Sequence, residues 1–240
     1  MSIAELSANS VTPCYNDDRD VGRFSDHITV WVDVYIGEDQ NCEGLKDKFD
    51  ANLQVLRTNN YAENEMNDDA MLLADQNMLA KLKEDAYCLK YFSSIDRALD
   101  FIRQCQDKRI FFISSGTIGK KIVPHIAELP QIHGIYIFCG NISHHTQWAG
   151  EYVDYISAML DHQDDLLERL TRDIAVYLDK KGDRHRQNES MIAARNCYAW
   201  SLKLLNRGKS LGDTGSRKLI ETVERKFKEL QSFATAPSEL

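Results

Sequence analysis

Hydrophobic residues follow two patterns along this chain: short unbroken bursts up to about residue 160, and a helical stripe beyond it. The bursts Ile110–Ile113 and Ile135–Phe138 are too short for helices and rich in β-branched and aromatic residues. Such runs predict strands buried on both faces. The segment between them holds a Ser-Ser-Gly turn, two lysines and a short apolar helix, the make-up of a βαβ crossover between parallel strands. Ile28–Ile36 (ITVWVDVYI) predicts the first core strand and Tyr87–Phe92 a shorter one. A helix capped by Ser93 or Ser94 and running to about Gln104 places Ile95, Leu99 and Ile102 on one stripe. Another helix is expected around Gly44–Val55, and Tyr152–Ile156 reads either as a further strand or as the lead-in to the next helix.

From Asp161 onward the period is helical. Asp161–Lys180 carries Leu166, Leu167, Leu170, Ile174 and Leu178 on one face, with Gly182 expected to stop it. Glu189–Asn206 and Asp213–Gln231 follow as a second and a third, more polar helix. The expected organisation is a disordered, acidic leader over 1–26, an α/β domain over 27–160, a helical extension over 161–232 and a loose tail over 233–240. An Asn-, Asp-, Glu- and Met-rich insertion occupies 59–85.

Charge sharpens this picture. The formal net charge is -8, unevenly spread. Residues 1–105 carry 20 acidic and 10 basic side chains, and residues 106–240 carry 17 and 19. The acidic first part argues against nucleic acid as the main partner. The excess of bases over 180–230 alternates with acids at helical spacing, as on a solvated helix face. No apolar run approaches the roughly 20 residues that span a bilayer, and the N-terminus lacks the basic start and apolar core of a secretory signal. The six cysteines are widely spaced without a CxxC pair, which fits a reduced, cytoplasmic protein and no zinc site. No metal and no cofactor are expected.

The candidate chemistry gathers at the loop after Ile113. Ser114, Ser115, Gly116, Thr117 and Lys120 follow a strand and precede a helix, and so offer hydroxyls, close backbone approach and a positive charge to an anion. A true P-loop is excluded, because Ser114 stands at its first glycine and Lys121 where its magnesium-binding hydroxyl belongs. A plain strand-to-helix turn capped by serine accounts for the same residues. Pro124, if it lies in the first helical turn, leaves Lys120–Val123 irregular and the lysines at the mouth of the sheet. His144 and His145 follow the next strand and open at the same end of a parallel sheet; Asp33 lies in the first strand. Asp33, Ser114, Ser115, Lys120 and His144 therefore have the placement to converge on one cleft, provided their strands are neighbours.

The segments VWVDVYIG (30–37), RIFFISSGTIGKKIVPHIAELPQIHGIYIFCGN (109–141), HHTQW (144–148) and LLERLTRDIAVYL (166–178) resemble an α/β domain of uncharacterised chemistry. That domain stands in front of helical repeats or ADP-ribosyltransferase modules in invertebrate multidomain proteins. The resemblance covers roughly residues 28–180 and implies a three-layer, receiver-like (flavodoxin-like) sheet with a helical extension. At the level of fold the strand-helix alternation also resembles receiver and TIR domains. A receiver would carry its phosphoacceptor aspartate where Ser114-Ser115 stands, and a TIR hydrolase its glutamate in the following helix, where Glu128 is the nearby acid.

Two functions follow as expectations. The first is a cytosolic signalling or protein-interaction module without catalysis, whose helical extension docks a protein partner or a second copy, with no membrane involved. The second is an enzyme or sensor for a nucleotide or other phosphate-bearing small molecule at 114–120, a TIR-like hydrolase being its specific form. There His144 or Glu128 would serve as the acid–base group.

Overall fold

The computed structural model describes residues 26–33 and 89–234. The expected leader, the Gly44–Val55 helix, the 59–85 insertion and the end of the tail lie outside the described residues. The chain divides into two compact units, one built on residues 25–54 and 87–170, the other including 171–240.

The first unit is α/β. Its strands are β1 (His27–Val32), β2 (Leu89–Phe92), β3 (Arg109–Ser114), β4 (Ile132–Phe138) and β5 (Ile156–Leu160). They form one sheet in the order β2-β1-β3-β4-β5, with every neighbouring pair parallel. This is the flavodoxin-like order, and it matches the expected fold class. The bursts flanking the lysine pair are neighbours pointing the same way, with Ile113 opposite Tyr136 and Ser114 opposite Ile137.

Both sheet faces are apolar because each strand alternates across a plane covered on both sides. Val30, Val32, Ile110, Phe112, Ile135 and Ile137 point to one face. There they meet Ala98, Leu99 and Ile102 of α1 (Ile95–Gln104) and Ile118, Ile122, Val123 and Ile126 of α2 (Gly116–Ile126). Trp31, Phe111, Ile113 and Tyr136 point to the other face and are also buried. Ser94 caps α1 as expected, its hydroxyl accepting from the Arg97 N–H at 3.5 Å.

Two expectations in this unit are corrected. The helix after β3 begins at Gly116 and passes through Pro124, so Lys120 and Lys121 sit on a regular helix flank. Pro124 lies in the last turn of α2, where its ring already holds a helical φ, and the lost bond to the Lys120 carbonyl and the crowding against it fall near the helix end. Second, residues 151–155 form a turn after the short helix α3 (Thr146–Gly150), and the fifth strand begins only at Ile156.

The second unit is helical: α4 (Gln163–Gln187) enters it at Thr171, followed by α5 (Met191–Ser210) and α6 (Arg217–Ala234). Gly182 does not end α4. A Cβ at Gly182 would lie 2.5 Å from Cε1 of Tyr198, so the glycine is where α4 admits the buried tyrosine ring of α5. The second helix runs past its expected end at Asn206, through Gly208 to Ser210. The real breaks fall at Glu189 and Gly212, both with positive φ, at 58° and 109°. Asp213 then orders the turn ahead of α6: its Oδ1 accepts from the N–H groups of Gly215 (2.8 Å) and Ser216 (3.0 Å), and the helix begins at Arg217. No described helix is long and apolar enough to cross a membrane.

Candidate functional site

The parallel sheet brings most of the nominated residues to one edge. Asp33 directly follows β1, its N–H donating to the Phe92 carbonyl at 3.1 Å. Ser114 ends β3, Ser115 is the N-cap of α2, and Gly116 and Thr117 form that helix's first turn. His144 belongs to a single 3-10 turn, Ile142–His144, between β4 and α3. All stand at the carboxyl ends of the strands. Glu128 does not join them. It follows the C-terminus of α2, next to Pro130, at the opposite edge of the sheet.

Within this edge the decisive contact is made by His145, not by His144. Its imidazole rests directly on Gly116: a Cβ there would lie 2.3 Å from His145 Cδ2 and 2.4 Å from Nε2. Trp148 of α3 fixes the ring by donating its indole N–H to His145 Nδ1 at 3.3 Å. That bond assigns the remaining ring proton to Nε2. His144 is exposed and reaches Asn141 at 3.4 Å.

Gly119, one turn on, serves the same packing. A Cβ there would meet Ile137 Cδ1 at 2.8 Å, Ser114 Oγ at 3.0 Å and Trp148 Cη2 at 3.1 Å. Both glycines of Ser-Ser-Gly-Thr-Ile-Gly thus let α2 lie close on β3, β4 and α3. The volume beside the Cα atoms of Gly116 and Gly119 is taken by side chains of the same chain. Two hydroxyls remain without a hydrogen-bond partner among the described residues. Ser114 Oγ is fully buried beneath the first turn of α2, and Ser115 makes no side-chain capping bond. Thr117 and Lys120 are exposed on the outer side of the helix.

The sequence did not single out His145 from its neighbour. The available signal was its spacing to Trp148: three residues apart, the two share a face once the segment turns helical. Among the described residues, no group of three or more His, Cys, Asp or Glu side chains is placed to hold a metal.

A concave surface lies at the far edge, where the strands begin. An open cleft of about 500 Å³ is lined by Arg103, Gln106, Asp107, Lys108, Arg109, Leu129, Pro130 and Gln131. Here α1 ends and the loop after α2 runs, and carbonyls of both take bonds from the cleft residues. Gln131 donates to the Ile102 carbonyl at 3.0 Å, Gln106 to that of Arg103 at 3.3 Å, and Arg109 to that of Pro130. No family model, curated protein or solved structure matches the chain.

Proposed function

We propose that this chain is a cytosolic signalling or protein-interaction module without catalysis, receiver- or TIR-like in its α/β unit. The observation that carries the reading is the seat of His145 on Gly116, which packs a side chain of the same chain against the turn after β3, at the end of the sheet where α/β folds of this order take ligands. Ser114 ends β3 where a receiver would place its phosphoacceptor aspartate, and Glu128 lies at the wrong edge for a TIR-type glutamate. Apolar side chains left in solvent support docking in both units. Val153 is 69% and Tyr155 41% exposed beside β5, and Ile192 is 67% exposed at the start of α5.

The second reading is a phosphate-ligand protein, favoured by the unpartnered hydroxyls of Ser114 and Ser115. A thermal-shift panel of nucleotides and sugar phosphates separates the two. A saturating ligand at a hundredfold excess over its dissociation constant adds about 2.7 kcal/mol of apparent stability. The module reading expects an unchanged midpoint throughout, and a shift that Ser114→Ala with Ser115→Ala abolishes would replace it with the ligand reading.

A further inference from the structure

We infer, on the footing that the chain is an interaction module, that the cleft at the amino ends of β3 and β4 docks a short acidic segment of a partner protein. Arg103, Lys108 and Arg109 supply the charge, and Leu129 and Pro130 an apolar wall. None of the three cations has a carboxylate partner among the described residues, and Asp107 is the single acid in the lining. The helical unit differs in this respect, since Arg172 pairs with Asp213, Arg186 with Glu229, and Lys226 with Asp179 and Asp183. Cations that converge on one concavity without a counter-charge present a positive potential to carboxylates, strongest where the walls exclude water.

The frame of the cleft is set before a partner arrives. Gln131 is 5% exposed and tied to the end of α1, while Arg109 is tied to the Pro130 carbonyl through one of its five N–H donors. Arg103 and Lys108 have no ion-pair partner among the described residues, and Arg109 retains N–H donors besides the one bound to Pro130. A long polyanion fits less well. The chain as a whole carries -8, and its first 105 residues hold twice as many acids as bases, so repulsion opposes a nucleic acid beyond the few charges the cleft can neutralise. A short carboxylate-rich peptide with a leucine against Leu129 and Pro130 matches both the charge and the wall.

The test is fluorescence anisotropy of the full chain with a fluorescein-labelled Glu-Asp-Leu-Glu-Glu-Leu peptide at low salt. Its Gln-Asn-Leu-Gln-Gln-Leu counterpart and a single-stranded oligonucleotide are run beside it. The acidic peptide is expected to bind, to weaken with added salt, and to lose about tenfold or more in affinity with Arg103→Glu combined with Lys108→Glu, both polar surface changes. The control, Lys90→Glu with Lys121→Glu, exposed lysines outside the cleft lining, is expected to change affinity less than about twofold. Four results overturn the docking site: no binding of the acidic peptide, equal binding of the amide peptide, equal losses from the two charge reversals, or tighter binding of the oligonucleotide. None of them is a nucleotide-induced thermal shift, the result that would overturn the module reading itself, so the two failures are told apart.

Discussion

His145 and Gly116 form one packed unit: the imidazole occupies the volume that any side chain on Gly116 would need, with Cδ2 only 2.3 Å from an added Cβ. The α2 helix can therefore begin directly under the loop that follows β4, and the loop is held by the Trp148 indole N–H behind the ring. A turn rich in serine and glycine is thus explained by close packing of a helix, a strand end and an aromatic pair.

Gly116→Ala is expected to expel the imidazole, break its bond to Trp148 and cost about 1–3 kcal/mol, as overpacking does. Gly140→Ala, in the loop after β4 with nothing within 4 Å of an added Cβ, is expected to stay within about 0.5 kcal/mol of wild type. Urea unfolding of the two variants checks the pair. Equal stabilities would show that the ring moves aside freely.

Gly182→Ala opposes two effects. Alanine gains up to about 1 kcal/mol of helix propensity. Its Cβ, however, would press on the Tyr198 ring at 2.5 Å, and that ring is fully buried and anchored through its hydroxyl to Asp183 at 2.8 Å. A ring held at both ends cannot yield, so a net loss of about 1–2 kcal/mol is expected in thermal denaturation. A gain in the midpoint would refute the packing role.

Glu189 adopts φ 58° between α4 and α5 with its side chain in solvent. The left-handed region is costly for a residue with a Cβ and nearly free for glycine. Glu189→Gly is therefore expected to stabilise the chain by about 0.5–1 kcal/mol, and Glu189→Val to destabilise it, as read by denaturant midpoints.

The helical unit should weaken in acid. Burial pushes the Asp213 carboxyl up, but hydrogen bonds from Arg172 and Ser216 outweigh it and leave the group below its usual 3.8. Asp183 behaves alike, burial being outweighed by hydrogen bonds from Lys226 and Tyr198. Groups depressed on folding add stability above their unfolded value of 3.8 that is lost as the pH falls through their folded values. Lys226 has the opposite sign: burial lowers it, but bonds to Asp179 and Asp183 raise it above 10.5, so its contribution is present below that value and lost as pH rises through the folded one. Unfolding free energies measured between about pH 2 and 6 should fall on the acid side.

Lys226→Met leaves Asp179 and Asp183 facing each other without their cation, at an expected cost near neutrality of about 1–2 kcal/mol, discounted because Asp183 is partly open to solvent. In that variant the acid loss from Asp183 should shrink, since protonation now relieves repulsion. An unchanged acid profile would mean that the triad is not what holds Asp183 down.

The sequence by itself determined the sheet. Residues 110–113 and 135–138 are β-branched and aromatic runs too short for helices, and the single helix between them forces a parallel crossover; pattern and connection length are local properties of the chain. For the same reason the order of strands and loops along the chain is enough to put Ser114, Ser115 and Asp33 at one edge. What the tertiary structure decided was how space is filled. Gly182 reads as a helix stop until Tyr198 is seen against it, and Pro124 reads as a helix start until α2 is seen to begin at Gly116. His144 and His145 are equivalent as letters, and only the seat on Gly116 and the bond from Trp148 separate them. The basic cleft was hidden likewise, because Arg103, Arg109 and Gln131 come from three segments that meet only when α1 and α2 end over the start of β3 and β4. Each of these outcomes depends on which distant side chain occupies a given volume, and periodicity along a chain carries no record of that.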